Sequence, residues 1–297
     1  MTNFIDETNL IAEEESTLPP FNRDEWIQQK KAEREKAFEM VRNVSDMLPH
    51  DAERFKNCLD LISRFGRYSV SNILLLEAQK PDAKELADFQ TWKDKGESIK
   101  KGETGIMILE PGKEYTRRDG KTAVSYNVKR VFDISQTSLP FGFTPYTKRD
   151  GRLLIRSLVQ HAPCRFESVD ASQISNGRSA YYDAEKNTIY AVPGTETSQL
   201  FRDMAAVLSE AHLELGEYST DHRFGKMTCV SYILCVRNQI DTSDFDFSKL
   251  PPYVQEMNGQ QMREYLGDIR DVANAITRDM DRFFEKMKGA PERDDAR

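Results

Sequence analysis

The sequence predicts an α+β fold in two parts, closed by a long C-terminal helix. Three observations carry this. A chain of 297 residues is longer than one domain of ordinary size. Apolar residues recur at helical spacing in some stretches and as short β-type runs in others, with both kinds present in each half. A Pro/Gly/aromatic stretch, 138–150, separates the halves and reads as a linker. The expected parts are a disordered acidic tail at 1–19, a helical and β-hairpin domain at 20–137, the linker, and a second α+β domain at 151–297.

The first 25 residues hold seven acids against Arg23 and too little apolar surface to fold. Pro19-Pro20 closes the tail. A helix start follows, with Asn22 as N-cap, Glu25 as its reciprocal partner, and Phe21 and Trp26 at the staple positions. Phe38, Val41, Val44 and Leu48 continue its apolar face, while Lys30–Lys36 reads as a solvated charged face. Asp51 caps a second helix with Phe55, Leu59 and Ile62 inward, ended by Gly66. Ser69 or Ser71 caps a third, whose body is Ile73 to Leu76; Pro81 stops it by disfavouring helical geometry at Lys80. A short helix carries Phe89 and Trp92, both expected in the core, and Gly96 takes a left-handed cap. Ile106–Leu109 reads as a buried strand. Gly105–Glu110 and Ala123–Ser135 are expected as hairpin arms, joined by a turn region holding Pro111-Gly112 and Asp119-Gly120.

Beyond the linker, a helix is expected from about Arg152 to His161 and a strand at Arg165–Val169. Ala180–Tyr182 and Thr188–Val192 flank a polar turn as a second hairpin. Leu200, Met204, Val207, Leu208, Ala211 and Leu215 mark a helix that Gly216 ends. Another spans Phe224 to Ile240. The last, about Gly259 to Lys288, carries an apolar stripe from Met262 to Met287 that suits packing along the second domain or against a partner helix.

The chain is acidic overall, with 42 Lys+Arg against 49 Asp+Glu, which argues against indiscriminate nucleic-acid binding. Lys93 to Arg130 is the exception, with ten bases against six acids. Bases interleaved there with Trp92, Tyr115 and Tyr126 suit a single strand, since cations track phosphates and aromatic faces stack on bases. The candidate contact residues are Lys100, Lys101, Lys113, Tyr115, Arg117, Arg118, Lys129 and Arg130. The bland reading keeps Trp92 in the core and Lys93 and Lys95 on an ordinary helix surface. Cys58, Cys164, Cys229 and Cys235 form no CxxC pair, and Cys229 and Cys235 read as reduced, packed residues of a cytoplasmic protein. No apolar run suggests a membrane span, and the acidic N-terminus is unlike a secretory signal.

Ser71-Asn72, Leu75, Gln79, Pro81, Ala83, Phe89, Trp92, Gly96, Lys101-Gly102, Gly105-Ile106, Pro111 and Val131-Phe132-Asp133 stand in an order and spacing that resemble the N-terminal domain of ArdC-type antirestriction proteins. The resemblance covers about 20–137 well and 150–241 more weakly. It implies binding of single-stranded DNA, carriage on plasmids or other conjugative elements, and a C-terminal zinc-metallopeptidase-like domain with HExxH on a helix. Two histidines four residues apart would share a helix face and hold zinc, with the glutamate acting on the zinc-bound water.

Here the corresponding residues are Ser209-Glu210-Ala211-His212-Leu213. Serine and leucine replace the two histidines. The next helix has no carboxylate near Lys226–Thr228, where the third ligand belongs. The expectation is a domain with no catalytic residue, no metal and no cofactor. A rearranged site from His212, Glu217, Asp221 and His222 lacks a familiar ligand spacing. Two alternatives stand beside the single-strand reading. One is a divergent metal-dependent hydrolase using Glu210 with His212 or His222. The other is a protein-interaction module working through the acidic tail and the terminal helix.

Overall fold

The computed structural model describes residues 22–117, 119–138, 149–174, 177–219 and 223–288. The acidic tail, Phe21, most of the linker, Arg118, Asp221 and His222 lie outside them. The fold is mixed α+β and ends in a 30-residue helix.

Helix α1 (Arg23–Met47) starts where expected, because the Asn22 side chain accepts from the N–H groups of Asp24 and Glu25. It buries Ala37, Val41 and Val44, but leaves Trp26 and Phe38 partly in solvent. Asp51 caps α2 (Ala52–Arg64), and Ser69 caps α3 (Val70–Gln79). Both helices bury their apolar runs, α3 against α1 and the two against each other. Strand β1 (Leu86–Ala87) precedes α4 (Phe89–Asp94), capped by Asp88. Trp92 is buried there, whereas Phe89 is 57% exposed and is not a core residue. The two positions share a helix face, but Phe89 opens the helix and only Trp92 is covered.

Strands β2 (Ile106–Thr116) and β3 (Thr122–Asp133) pair antiparallel, and β1 pairs with the far side of β3, in the order β1-β3-β2. The expected turn region from Pro111 is instead strand. A shift in pairing between Pro111 and Glu114 absorbs the proline and glycine, as edge strands allow. The reversal is confined to Arg117–Lys121, where the Arg117 N–H donates to the Lys121 carbonyl and Gly120 takes φ +80°.

In the second part, Asp150 caps α5 (Gly151–Gln160). Strands β4 (Arg165–Ser168), β5 (Ala180–Asp183) and β6 (Thr188–Ala191) form a sheet in the order β4-β6-β5, with β4 parallel and β5 antiparallel to β6. Helix α6 (Thr197–Leu215) packs on this sheet and against α7 (Arg223–Arg237). Leu215, expected inward, is exposed at the fraying end of α6. After the single turn α8 (Pro252–Gln255), α9 (Gly259–Lys288) runs past α7, α5, α1, α3 and α6. Its stripe from Met262 to Phe283 is buried by this chain's own helices, and Met287 alone of the stripe is exposed. One continuous core includes residues of α1, α2 and α3 together with α6, α7 and α9. Among the described residues, no helix is long and apolar enough to cross a membrane.

Candidate nucleic-acid interface

The hairpin is held by two amides of α3. β2 lies at the sheet edge, so its outward N–H and C=O groups have no strand partner. Asn72 donates to the Leu109 carbonyl (2.9 Å) and accepts from the Leu109 N–H (2.7 Å). Gln79, two turns on, does the same for Met107, at 3.0 and 2.9 Å. Seven residues along a helix return to the same face, so the pair forms a two-rung side-chain ladder. The Trp92 indole N–H donates to the Phe132 carbonyl (2.9 Å). The buried Asp133 carboxylate accepts from the N–H groups of Lys84, Glu85 and Ser135. These signature residues build a scaffold, and Trp92 has no face free for a base.

The candidate contact residues fall into two groups. Lys101, Lys113, Tyr115 and Arg117 are exposed, the last three on the outer half of the hairpin. The rest of the described set is engaged at its base. Lys100 donates to the Ser135 carbonyl (2.8 Å). Lys129 pairs with Asp88 at 2.9 Å, and Arg130 with Glu33 at 3.6 Å. Hydrogen bonds from Thr91, then Lys129, hold the Asp88 carboxyl far below the usual carboxylate range, and Asp88 in turn raises the Lys129 ammonium.

Strand pairing separates the two tyrosines. Tyr115 lies opposite Ala123, and Tyr126 opposite Pro111. Positions 123 and 126 differ by an odd number of residues, so the side chains leave opposite faces of the sheet. Tyr126 meets Phe38 of α1 edge to face at 6.3 Å. Tyr115 shares its face with Asn127, Lys129 and Val131, and this face runs down to a groove of about 390 Å³ lined by Tyr68, Asp88, Glu110 and Lys129. Tyr68 lies outside the basic stretch Lys93–Arg130, and its one local signal is the basic–aromatic pair Arg67-Tyr68 in the loop before the Ser69 cap.

In the second part, Ser209 and Leu213 are fully buried, and the Ser209 hydroxyl donates to the Ala206 carbonyl (2.5 Å). Glu210 faces away from them. Burial pushes its carboxyl up against the opposing pull of Arg223, which stands 3.5 Å away and also pairs with Glu214. Lys226 is 2% exposed, and its ammonium donates to Asp268 (2.5 Å) and to the Ser219 carbonyl (2.6 Å). A buried hydroxyl already donating, an aliphatic side chain and a paired ammonium do not fit a zinc ion. Among the described residues, no three His, Cys, Asp or Glu side chains are grouped to hold a metal.

The family model of the N-terminal domain of anti-restriction factor ArdC matches residues 28–138. Over these residues the chain is similar to that ArdC domain. An uncharacterized protein of Bacillus anthracis is 22% identical to this chain over 320 residues, 86% of the chain and 54% of that protein. The chain thus spans about half the length of that relative. Crystal structures of the antirestriction ArdC protein from the R388 plasmid, metal-free and Mn(II)-bound, align over 73% and 72% of the chain. The alignments cover 86% and 85% of those proteins, at 17% and 15% identity and a TM-score of 0.47 each.

Proposed function

We propose that this ArdC-type chain binds single-stranded DNA for a plasmid or other conjugative element, in an antirestriction role. In this reading 20–137 is the binding domain and 151–297 a peptidase-like domain that serves as scaffold without catalysis. The supporting observation is the outer hairpin face. It presents the exposed Tyr115 between Lys113 and Arg117 and leads into the groove beside Tyr68. Cations at this spacing follow phosphates, and a tyrosine face stacks on a base only where the base is unpaired. Replacement of the histidine positions by buried Ser209 and Leu213 supports the scaffold role.

The test is binding of a labelled ~20-mer, single-stranded and duplex, at two salt concentrations. Tighter binding of the single strand is expected. Tyr115→Ala should weaken it by about 1–3 kcal/mol, the worth of one stacked base. Equal affinity for duplex, unmoved by Tyr115→Ala, would remove stacking and the reading with it.

A further inference from the structure

Where the end of α2, the loop before α3, α7 and α9 meet, they enclose a cleft of about 850 Å³. Six arginines line it: Arg64, Arg67, Arg149, Arg237, Arg270 and Arg278. Among the described residues only two carboxylates do, Asp271 and Asp281. These are taken by Arg270 (2.6 Å) and Arg149 (3.2 Å). Arg64 donates to the carbonyls of Asp60, Pro81 and Ala83, which aim the guanidinium without neutralising it. Arg67 and Arg278 are exposed and make no ion pair among the described residues. Arg237 joins the walls, donating to the carbonyls of Ile62 and Ser63 on α2 and of Ala273 on α9. A side chain at Gly66 would press on the ends of Arg237 and Asn274, which would have to shift from their bridging positions.

Concave sites of one sign focus potential, and an arginine fork matches the oxygens of a phosphate. The cleft adjoins the hairpin groove. Arg67 and Ser69 line the cleft, Tyr68 between them lines the groove, and Arg270 of the cleft donates to the Tyr68 carbonyl (3.3 Å). We infer that the arginine cleft is a second phosphate-binding station for the bound single strand, which passes from the hairpin face over Tyr68 into it. The inference rests on the single-strand reading above. It adds that the two parts of the chain grip one strand together, and that the footprint exceeds what the hairpin alone can cover.

The experiment uses the full chain, a ladder of labelled oligothymidylates from about 4 to 20 nucleotides, and Arg67→Ala with Arg278→Ala. Each phosphate contact contributes about 0.7 to the log–log salt slope for single strands. The double variant should lower the slope by about 1.4 on the longest strand, leave the shortest unaffected, and reach its affinity plateau at a shorter length than the parent. Arg67→Gln with Arg278→Gln, which keeps most of each side chain, should behave alike and melt at the parent's temperature. An unchanged slope and plateau, with the parent still binding, would overturn the cleft and leave the hairpin reading standing. A parent that binds no strand would overturn both. Inorganic tripolyphosphate is the control: micromolar stabilisation of the parent that strand cannot compete away would assign the cleft to a free polyphosphate instead and overturn the inference.

Discussion

At Asn72 and Gln79 a short polar side chain decides the edge of a sheet. Each amide satisfies both backbone groups of one β2 residue, so truncation orphans a buried N–H and a buried C=O together. Each buried group left unpaired costs about 1–3 kcal/mol. Asn72→Ala should therefore lower the urea midpoint strongly. His212 permits a pH prediction. Burial pushes its imidazole below the ordinary 6.5, and its Nε2 finds no hydrogen-bond partner among the described residues. The unfolded chain thus takes up this proton at higher pH than the folded chain. Stability from this group is full above pH 6.5 and is lost as pH falls below it. His212→Leu should flatten the stability profile between pH 7 and 5, read by urea denaturation. An equally steep fall in the variant would assign that loss elsewhere. The thiols follow the same physics, since burial raises Cys164 to about 11 and Cys229 and Cys235 to about 12. An aromatic-disulfide reagent at pH 8 should find almost no fast thiol in the native protein and all four after denaturation.

At the scale of the element, α4 shows how little of a short helix can be inside. Trp92→Ala should cost about 3–5 kcal/mol, whereas Phe89→Ala should stay within about 0.5 kcal/mol. Equal melting losses for the two would contradict this placement. The hairpin carries the opposite lesson. Its base is tied to α3 and α1, while its outer half from Gly112 to Lys121 is mostly solvent-exposed. Local opening should begin there, and hydrogen exchange should find the amides of Met107 and Leu109 protected far longer than those of Tyr115 and Thr116.

At the scale of the molecule, α7 and α9 cover faces of α1, α2 and α3 that would otherwise meet water. Tyr232 of α7 donates to Asp60 of α2 (2.5 Å), and Arg237 and Asn274 hold the loop at Gly66. A fragment of residues 20–137 should therefore unfold at a lower urea concentration than the full chain and associate through the uncovered faces. Gel filtration and denaturation together check this. A monomeric fragment with the full chain's midpoint would show that the shared core contributes little.

Local sequence determined the elements of this protein. Caps at Asn22, Asp51 and Ser69, glycines at Gly96 and Gly120, and the periods of the apolar runs act over a few residues, so nearly every helix and strand was legible from them. The long stripe of α9 was legible for the same reason. The loss of the histidine pair at Ser209 and Leu213 was also plain, since one helix turn sets that spacing. What tertiary structure alone decided are relations between distant residues. Pairing register put Tyr115 and Tyr126 on opposite faces. Contact across the fold committed Lys129 to Asp88 and Arg130 to Glu33. Arginines drawn from the ends of α2 and α7, from α9 and from Arg149 converge on one cleft although more than two thirds of the chain lies between Arg64 and Arg278. Nothing in the local pattern encodes that meeting, because side-chain spacing constrains a helix face over a few turns and says nothing of which face it will oppose.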